Sequence, residues 1–454
     1  MSSSGSAAEA VTPPPAAWRQ RASLALYSGL LWLAQPLVRR KLRRRGRQEP
    51  DYVADIEQRF GHYPAAVRDA LIQRPAQGPR IWLHAVSLGE TRAAGILIPA
   101  LRARWPGLQL VLTCSTATGR QEGRRHLRDG DLQLWLPWDT RAAARRFVQA
   151  VRPDLGLLME TEIWPNLMAQ LSQAGVPTVL VNARLNEKST QGALRWPALM
   201  VPAYARFARV LAQSAGDAER LARVGARDVR VRGNLKYDAQ PDAAQIAQAQ
   251  AWRQRLDRPV ALFASSREGE EAALLAALAA DTRAQPAQWL VVPRHPQRFD
   301  AVAELAERQG WTVRRRSAWG DAGPPPDAGG GRTLWLGDSM GEMALYYALA
   351  DVALLGGSFE PLGGQNLIEA AACGCPVVMG PHTFNFAQAC EQAEAAGAAQ
   401  RVAGLPQAVA AVRALLDSPD RLAAMRAASA GFVAGSQGAV QATVQDLAPL
   451  LPGA

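Results

Sequence analysis

Cysteine is scarce, with four residues in a chain of 454. Cys114, Cys373, Cys375 and Cys390 form no CxxC pair and show no His/Cys spacing suited to a metal ion. That excludes a disulfide scaffold or a zinc module and fits a reduced compartment. The five histidines are scattered without an HExxH motif, so neither a metal site nor a cofactor is expected. An even coat of positive charge is lacking too. The net charge is +11, yet residues 1–50 hold nine Lys/Arg against Glu9 and Glu49, which is +7 and leaves +4 for the other 404 residues. The excess belongs to one end of the chain, so no nucleic-acid partner is expected. An unbroken apolar run of bilayer length is also missing: Ala22–Val38 counts 17 residues and is interrupted by Gln35 and Pro36.

What the first fifty residues do contain is segregated. Residues 1–16 are rich in Ser, Ala and Pro and are expected to be disordered. The apolar stretch Ala22–Val38 follows, then seven basic residues between Arg39 and Arg47. Arginines after an apolar run do not make a signal-peptide cleavage site. An interfacial helix whose basic flank holds anionic lipid fits better. A single span with the bulk of the chain cytoplasmic is a second reading, and a packed amphipathic domain helix a third. On any reading, residues 1–47 look separable from the folded remainder.

From residue 50 onward, short apolar runs alternate with helical stretches. Arg80–Ala85, Leu108–Cys114, Leu132–Leu136, Leu155–Met159, Thr178–Val181 and Arg209–Ala212 read as buried parallel strands. A second series runs through Val260–Ala264, Trp289–Val292, Thr312–Arg315, Thr333–Leu336, Asp351–Leu355 and Val377–Met379. Hydrophobic residues at 48% and charged residues at 20% suit two ordinary globular domains. The expected architecture is α/β, with two Rossmann-like domains facing across a cleft: residues 48–235 and 236–454 after the N-terminal segment 1–47. Residues 320–331, GDAGPPPDAGGG, read as a surface insertion.

In such folds ligands sit beyond the carboxyl ends of strands. The stretch Leu354–Val378 reads there as strand, glycine loop, helix, strand, a pattern that offers unpaired N–H groups and a helix dipole to a phosphate. Asn366 and Glu369 stand three apart at the helix start, either as a cap with its capping-box glutamate or as contacts for a nucleotide sugar. In the first half, Ser87-Leu-Gly89-Glu90 ends a strand and opens a helix, so Glu90 is either a dipole-complementing carboxylate or a base facing the cleft. Thr113–Arg120, with Thr118, Gly119 and Arg120, suits a phosphate or a capped helix start. Glu160 and Glu162 end a third strand, and Arg184 a fourth. Ser265, Arg267 and Arg294 occupy the matching places in the second half, Arg294 being read also as a rim ion pair. His295, between Arg294 and Pro296, reads as a wedged loop residue.

In chain order, HAVSLGE, STATGR, ETEIWPN, NARL, GNLKYD, SSREGEE, PRHPQRF, GDSMGEM and GGSFEPLGGQNLIEAAACGCPVV resemble the bacterial 3-deoxy-D-manno-octulosonic acid (Kdo) transferases. The resemblance covers Gln48 to Gly435 and implies a GT-B glycosyltransferase that moves Kdo from CMP-Kdo to a lipid A precursor. It places the protein at the cytoplasmic face of the inner membrane, with anionic lipids as neighbours. It implies inversion at the anomeric centre and no metal. It also implies Glu90 as base, with Asn366 and Glu369 on the donor. Ser265, Arg267, Arg294 and Gly357 join the donor contacts. Ser87, Gly89, Thr118, Arg120, Glu162 and Arg184 are the acceptor contacts expected around the base. Another GT-B nucleotide-sugar enzyme and a non-catalytic lipopolysaccharide-binding scaffold are the alternatives.

Overall fold

Runs such as Ile81–Leu83, Leu157–Met159 and Ala261–Ala264 place apolar side chains at consecutive positions, so a strand there must be covered on both faces. All of these residues are buried. The structure is a computed structural model that describes residues 15–47, 49–281, 287–324 and 332–451. The N-terminal stretch expected to be disordered, apart from its last two residues, lies outside the described residues. So does the second half of the expected 320–331 insertion, whose start closes a tight Gly320–Gly323 turn.

The chain forms two units, residues up to Asp238 together with those from Gln437 onward, and Ala239–Ser436. The first holds a seven-stranded sheet of β1 (Arg80–His84), β2 (Gln109–Cys114), β3 (Leu132–Trp135), β4 (Leu155–Met159), β5 (Thr178–Ala183), β6 (Arg209–Ala212) and β7 (Val229–Val231). Its order is β3-β2-β1-β4-β5-β6-β7, with every pair parallel. The order reverses between β1 and β4. The second unit repeats the plan with β8 (Val260–Ser266), β9 (Gln288–Pro293), β10 (Thr312–Arg315), β11 (Thr333–Leu336), β12 (Val352–Leu355), β13 (Val377–Met379) and β14 (Ala399–Arg401). Its order, β10-β11-β9-β8-β12-β13-β14, reverses between β8 and β12. Each reversal splays the flanking loops apart and opens a crevice at the strand ends.

The expected domain ending at 454 needs a correction. The last helix, Ala439–Leu447, leaves the second unit and packs on the first against the helix Leu88–Arg104. Ala439, Val444 and Leu447 join the core of Ile81, Leu83 and Leu97. Two carboxylates hold this return. Asp446 takes Arg230 and Arg232, each at 2.6 Å, and Asp238 accepts the N–H groups of Gly438 and Val440 at 2.6 and 2.5 Å. An amphipathic helix displays its apolar face in sequence but not the surface that face will cover.

The N-terminal segment forms one helix, Ala17–Arg45. Among the described residues no helix is long and apolar enough to cross a membrane, so the single-span reading is not supported. Arg19 and Arg21 at its start and the basic run at its end explain why. One side of the helix is pinned to the first unit: Ser28 donates to Asn166 at 2.7 Å, the Leu31 carbonyl accepts from Trp138 at 3.3 Å, and Arg39 pairs with Glu57 while lying 3.7 Å from the Phe60 ring centroid. Tyr27 reaches the buried Asp139. The other side leaves Trp18, Leu26, Leu30, Trp32, Leu33 and Leu37 57–69% exposed. Residues 1–47 are thus docked, and the expected clean separation does not hold. Deleting them should cost about 2–3 kcal/mol, at roughly 1 kcal/mol for each side-chain hydrogen bond lost. Thermal unfolding of the truncated chain checks this, and an unchanged Tm would show that the contacts contribute nothing.

Candidate active site

In the first unit the loops after β1 and β4 bring the acidic residues together. Ser87 caps the helix Leu88–Arg104, accepting from the Glu90 N–H at 3.4 Å, and the Glu90 carboxylate reaches back to the Val86 N–H at 2.5 Å. This is close to a capping box, shifted by one residue. The bland reading of Glu90 therefore describes its geometry but not its electrostatics. Burial pushes its carboxyl up to about 7, the Val86 N–H opposes that, and Glu160 and Glu162 add to it. Gly89 is exposed beside it, and a side chain there would meet nothing nearer than the Ser87 hydroxyl at 4.0 Å.

Glu160, the first carboxylate after β4, is buried with a left-handed backbone (φ 57°) and pairs with Arg184 at 2.8 Å and Lys236 at 3.3 Å. Arg184 thus joins the site through Glu160. Lys236, inside GNLKYD, carries no signal in the sequence, because an isolated lysine in a short 3-10 turn has no periodicity. Glu162 is partly buried, and burial raises its carboxyl above the ordinary range. His84, fully buried at the end of β1, faces it with Nε2 3.9 Å from the carboxylate.

The STATGR loop abuts this group. Thr116, not Thr118, caps the helix Ala117–Arg124. Thr118 is exposed, and a side chain at Gly119 would come within 3.2 Å of the Val86–Ser87 backbone. Arg120 is turned inward: its guanidinium lies 4.7 Å from the Trp135 ring centroid and pairs with Asp55 at 3.2 Å. It anchors the loop from beneath.

In the second unit the reversal between β8 and β12 joins Ser265, Arg267 and the glycine loop. Here the expectation of unpaired N–H groups is corrected. The Glu270 carboxylate, wholly buried, accepts from Arg267 N at 2.9 Å, Gly357 N at 2.8 Å and Phe359 N at 3.1 Å. Gly356 is required by packing, since a Cβ there would lie 2.3 Å from the Ser265 carbonyl oxygen. Ser265 itself adopts φ 55°. Burial, and then the charges of Arg267, Arg294 and Arg298, push the His295 imidazole below its usual value. Arg298 is taken up by Glu271 at 3.0 Å, so Arg267 and Arg294 are the cations beyond β8 and β9 suited to phosphate. The helix Leu367–Ala372 is only six residues long. Asn366 caps it through the Ile368 N–H at 3.2 Å and donates its amide to the exposed Glu369 carboxylate at 3.1 Å.

Two parallel sheets, each with polar side chains gathered at its strand reversal, are the GT-B fold. A solved glycosyltransferase from Rickettsia africae shares the fold, with a TM-score of 0.55 and 12% identity, covering 83% of this chain and 100% of that one. Sequence narrows the class. Residues 54–239 match the family described as 3-deoxy-D-manno-octulosonic-acid transferase (kdotransferase). The 3-deoxy-D-manno-octulosonic acid transferase of Bordetella pertussis is 46% identical over 377 residues, covering 81% of this chain and 86% of the relative. Its counterpart in Haemophilus influenzae is 32% identical over 433 residues, covering 94% and 98%. The chain belongs to the Kdo transferase family.

Proposed function

We propose that the chain transfers Kdo from CMP-Kdo to a lipid A precursor with inversion, Glu90 serving as the base. The observation that supports this most is the Glu90 carboxyl, pushed up to about 7 by burial at the strand reversal of the first unit. A base works best when it titrates near the operating pH. The acceptor hydroxyl gives its proton to Glu90 as its oxygen bonds to the anomeric carbon. The bond from that carbon to the phosphate oxygen breaks, and its electron pair leaves with CMP. Arg267 and Arg294 offset the charge that develops on the departing phosphate.

Ser265, Gly357, Asn366 and Glu369 complete the donor contacts in this reading. Ser87, Gly89, Thr118, Glu162 and Arg184 surround the acceptor, with Arg120 supporting them from its place over Trp135. The exposed apolar side of the helix Ala17–Arg45, together with the basic run Arg39–Arg47, suits an interfacial seat on anionic lipid at the inner membrane's cytoplasmic face.

Product formation from CMP-Kdo and a tetra-acylated precursor tests the whole reading. The donor half is tested separately by Glu369→Ala. Loss of a carboxylate that accepts ligand hydrogen bonds should weaken CMP binding by about 1.5–3 kcal/mol. Because Glu369 is exposed, Tm should stay put. Calorimetry with CMP decides: a fall in Tm with unchanged affinity would leave Glu369 a capping partner only.

A further inference from the structure

His84 and Glu162 face each other in a way that neither can sustain without a proton between them. His84 is 0% exposed. Its Nδ1 lies 3.0 Å from the Thr113 carbonyl oxygen and 2.9 Å from the Thr113 hydroxyl. A carbonyl only accepts, so Nδ1 bears the hydrogen. The Thr113 hydroxyl oxygen also accepts from Trp82 Nε1 at 2.8 Å. Burial holds the imidazole neutral, its value pushed down to about 4. Nε2 is then a bare lone pair, and it is a buried atom with no hydrogen-bond partner. The Glu162 carboxylate lies 3.9 Å from it.

Two acceptors pointed at each other repel, and an unmet buried acceptor costs free energy. A carboxyl proton on Glu162 removes both penalties once the side chain closes the remaining gap. The surroundings favour the same state. Glu162 is partly buried, and its charge pushes up both Glu90 and Tyr204. Trp164 is the one opposing influence on Glu162, its indole N–H favouring the charged form, and burial outweighs it. The cations close by, Arg184 and Lys236, are bound to Glu160.

We propose that His84 is a positioning residue that acts through Glu162: its unprotonated Nε2 accepts a hydrogen bond from the Glu162 carboxyl O–H, which keeps Glu162 neutral and leaves Glu90 as the carboxyl that ionises to take the acceptor's proton. The last part rests on the transfer reading above. The pairing itself does not, because it exists without substrate.

The test uses the full chain labelled with 15N-histidine, without substrate, at pH 7. His84 signals are assigned by their loss in His84→Gln. The expected spectrum shows hydrogen on Nδ1 and a hydrogen-bonded acceptor at Nε2. In Glu162→Ala, Nε2 should move to the position of an unbonded nitrogen. In Glu162→Gln it should return toward the bonded value, because the amide N–H takes the place of the carboxyl proton. A hydrogen on Nε2, or an Nε2 signal indifferent to Glu162→Ala in a chain that melts normally, overturns the proposal. A second readout is kinetic. His84→Gln presents an amide N–H that favours ionised Glu162, so the pH midpoint of transfer should move up as Glu90 is pushed further. If the nitrogen spectra behave as expected but no transfer occurs, the pair stands and the transfer reading fails.

Discussion

Glu90→Gln is expected to slow the transfer step by ~10²–10⁴-fold, the usual loss when a general base is removed. The amide keeps the oxygen that accepts the Val86 N–H, so the helix start at Ser87 should survive. Its stability signature is opposite to that of a structural residue. Burial raises the folded carboxyl to about 7, so between its ordinary value of 4.5 and about 7 the folded state binds more protons than the unfolded one. Stability contributed by this group therefore falls as pH rises through that window. Glu90→Gln removes the titration, and at pH 8 its Tm should equal or exceed that of the wild type. The wild-type single-turnover rate should climb tenfold per pH unit below about 7 and level off above it. Near-normal turnover in Glu90→Gln, with turnover abolished in Glu162→Gln, would move the base to Glu162.

Glu270→Ala should do the reverse, wrecking stability before chemistry. Its carboxylate accepts three backbone N–H groups at Arg267, Gly357 and Phe359, all at the strand reversal of the second unit. At about 1–3 kcal/mol for each buried donor left unmet, the loss should be roughly 3 kcal/mol or more. Chemical denaturation with an unchanged m-value would measure it. CMP binding should weaken in step, because the Gly357 backbone would lose its anchor. If stability is unchanged, the glycine loop is held by its packing around Gly356 rather than by the carboxylate.

These two glutamates show what a sequence can and cannot disclose. Glu90 and Glu270 each stand near a helix start after a strand, and pattern alone treats them alike. One faces two other carboxylates, the other three N–H groups, and only the fold supplies that difference. Strand after strand was legible, because consecutive apolar residues such as Ile81–Leu83 admit few other readings. β7 and β14 were not. They are three residues long, and Arg230 in one and Gln400 with Arg401 in the other break any apolar run.

Arg120 was read as a cation for the acceptor, since nothing local to STATGR reveals that Trp135 and Asp55 lie beneath it. Lys236 became visible only once Glu160 was seen to need a partner. The N-terminal helix was read correctly as apolar and basic. Its docking was hidden because single polar pins, Ser28 and Tyr27, leave no periodic trace.

This chain is expected to join Kdo to a lipid A precursor, with Glu90 accepting the proton. Incubating wild type and Glu90→Gln side by side with CMP-Kdo and a tetra-acylated precursor, then weighing the lipid products at early times, tests it most directly. The expected result is a mass gain of whole Kdo residues with the wild type, and the same gain delayed at least about a hundredfold with the variant. A precursor that stays unchanged with folded wild type would rule out the transfer, and a variant that keeps pace with wild type would rule out Glu90 as the base.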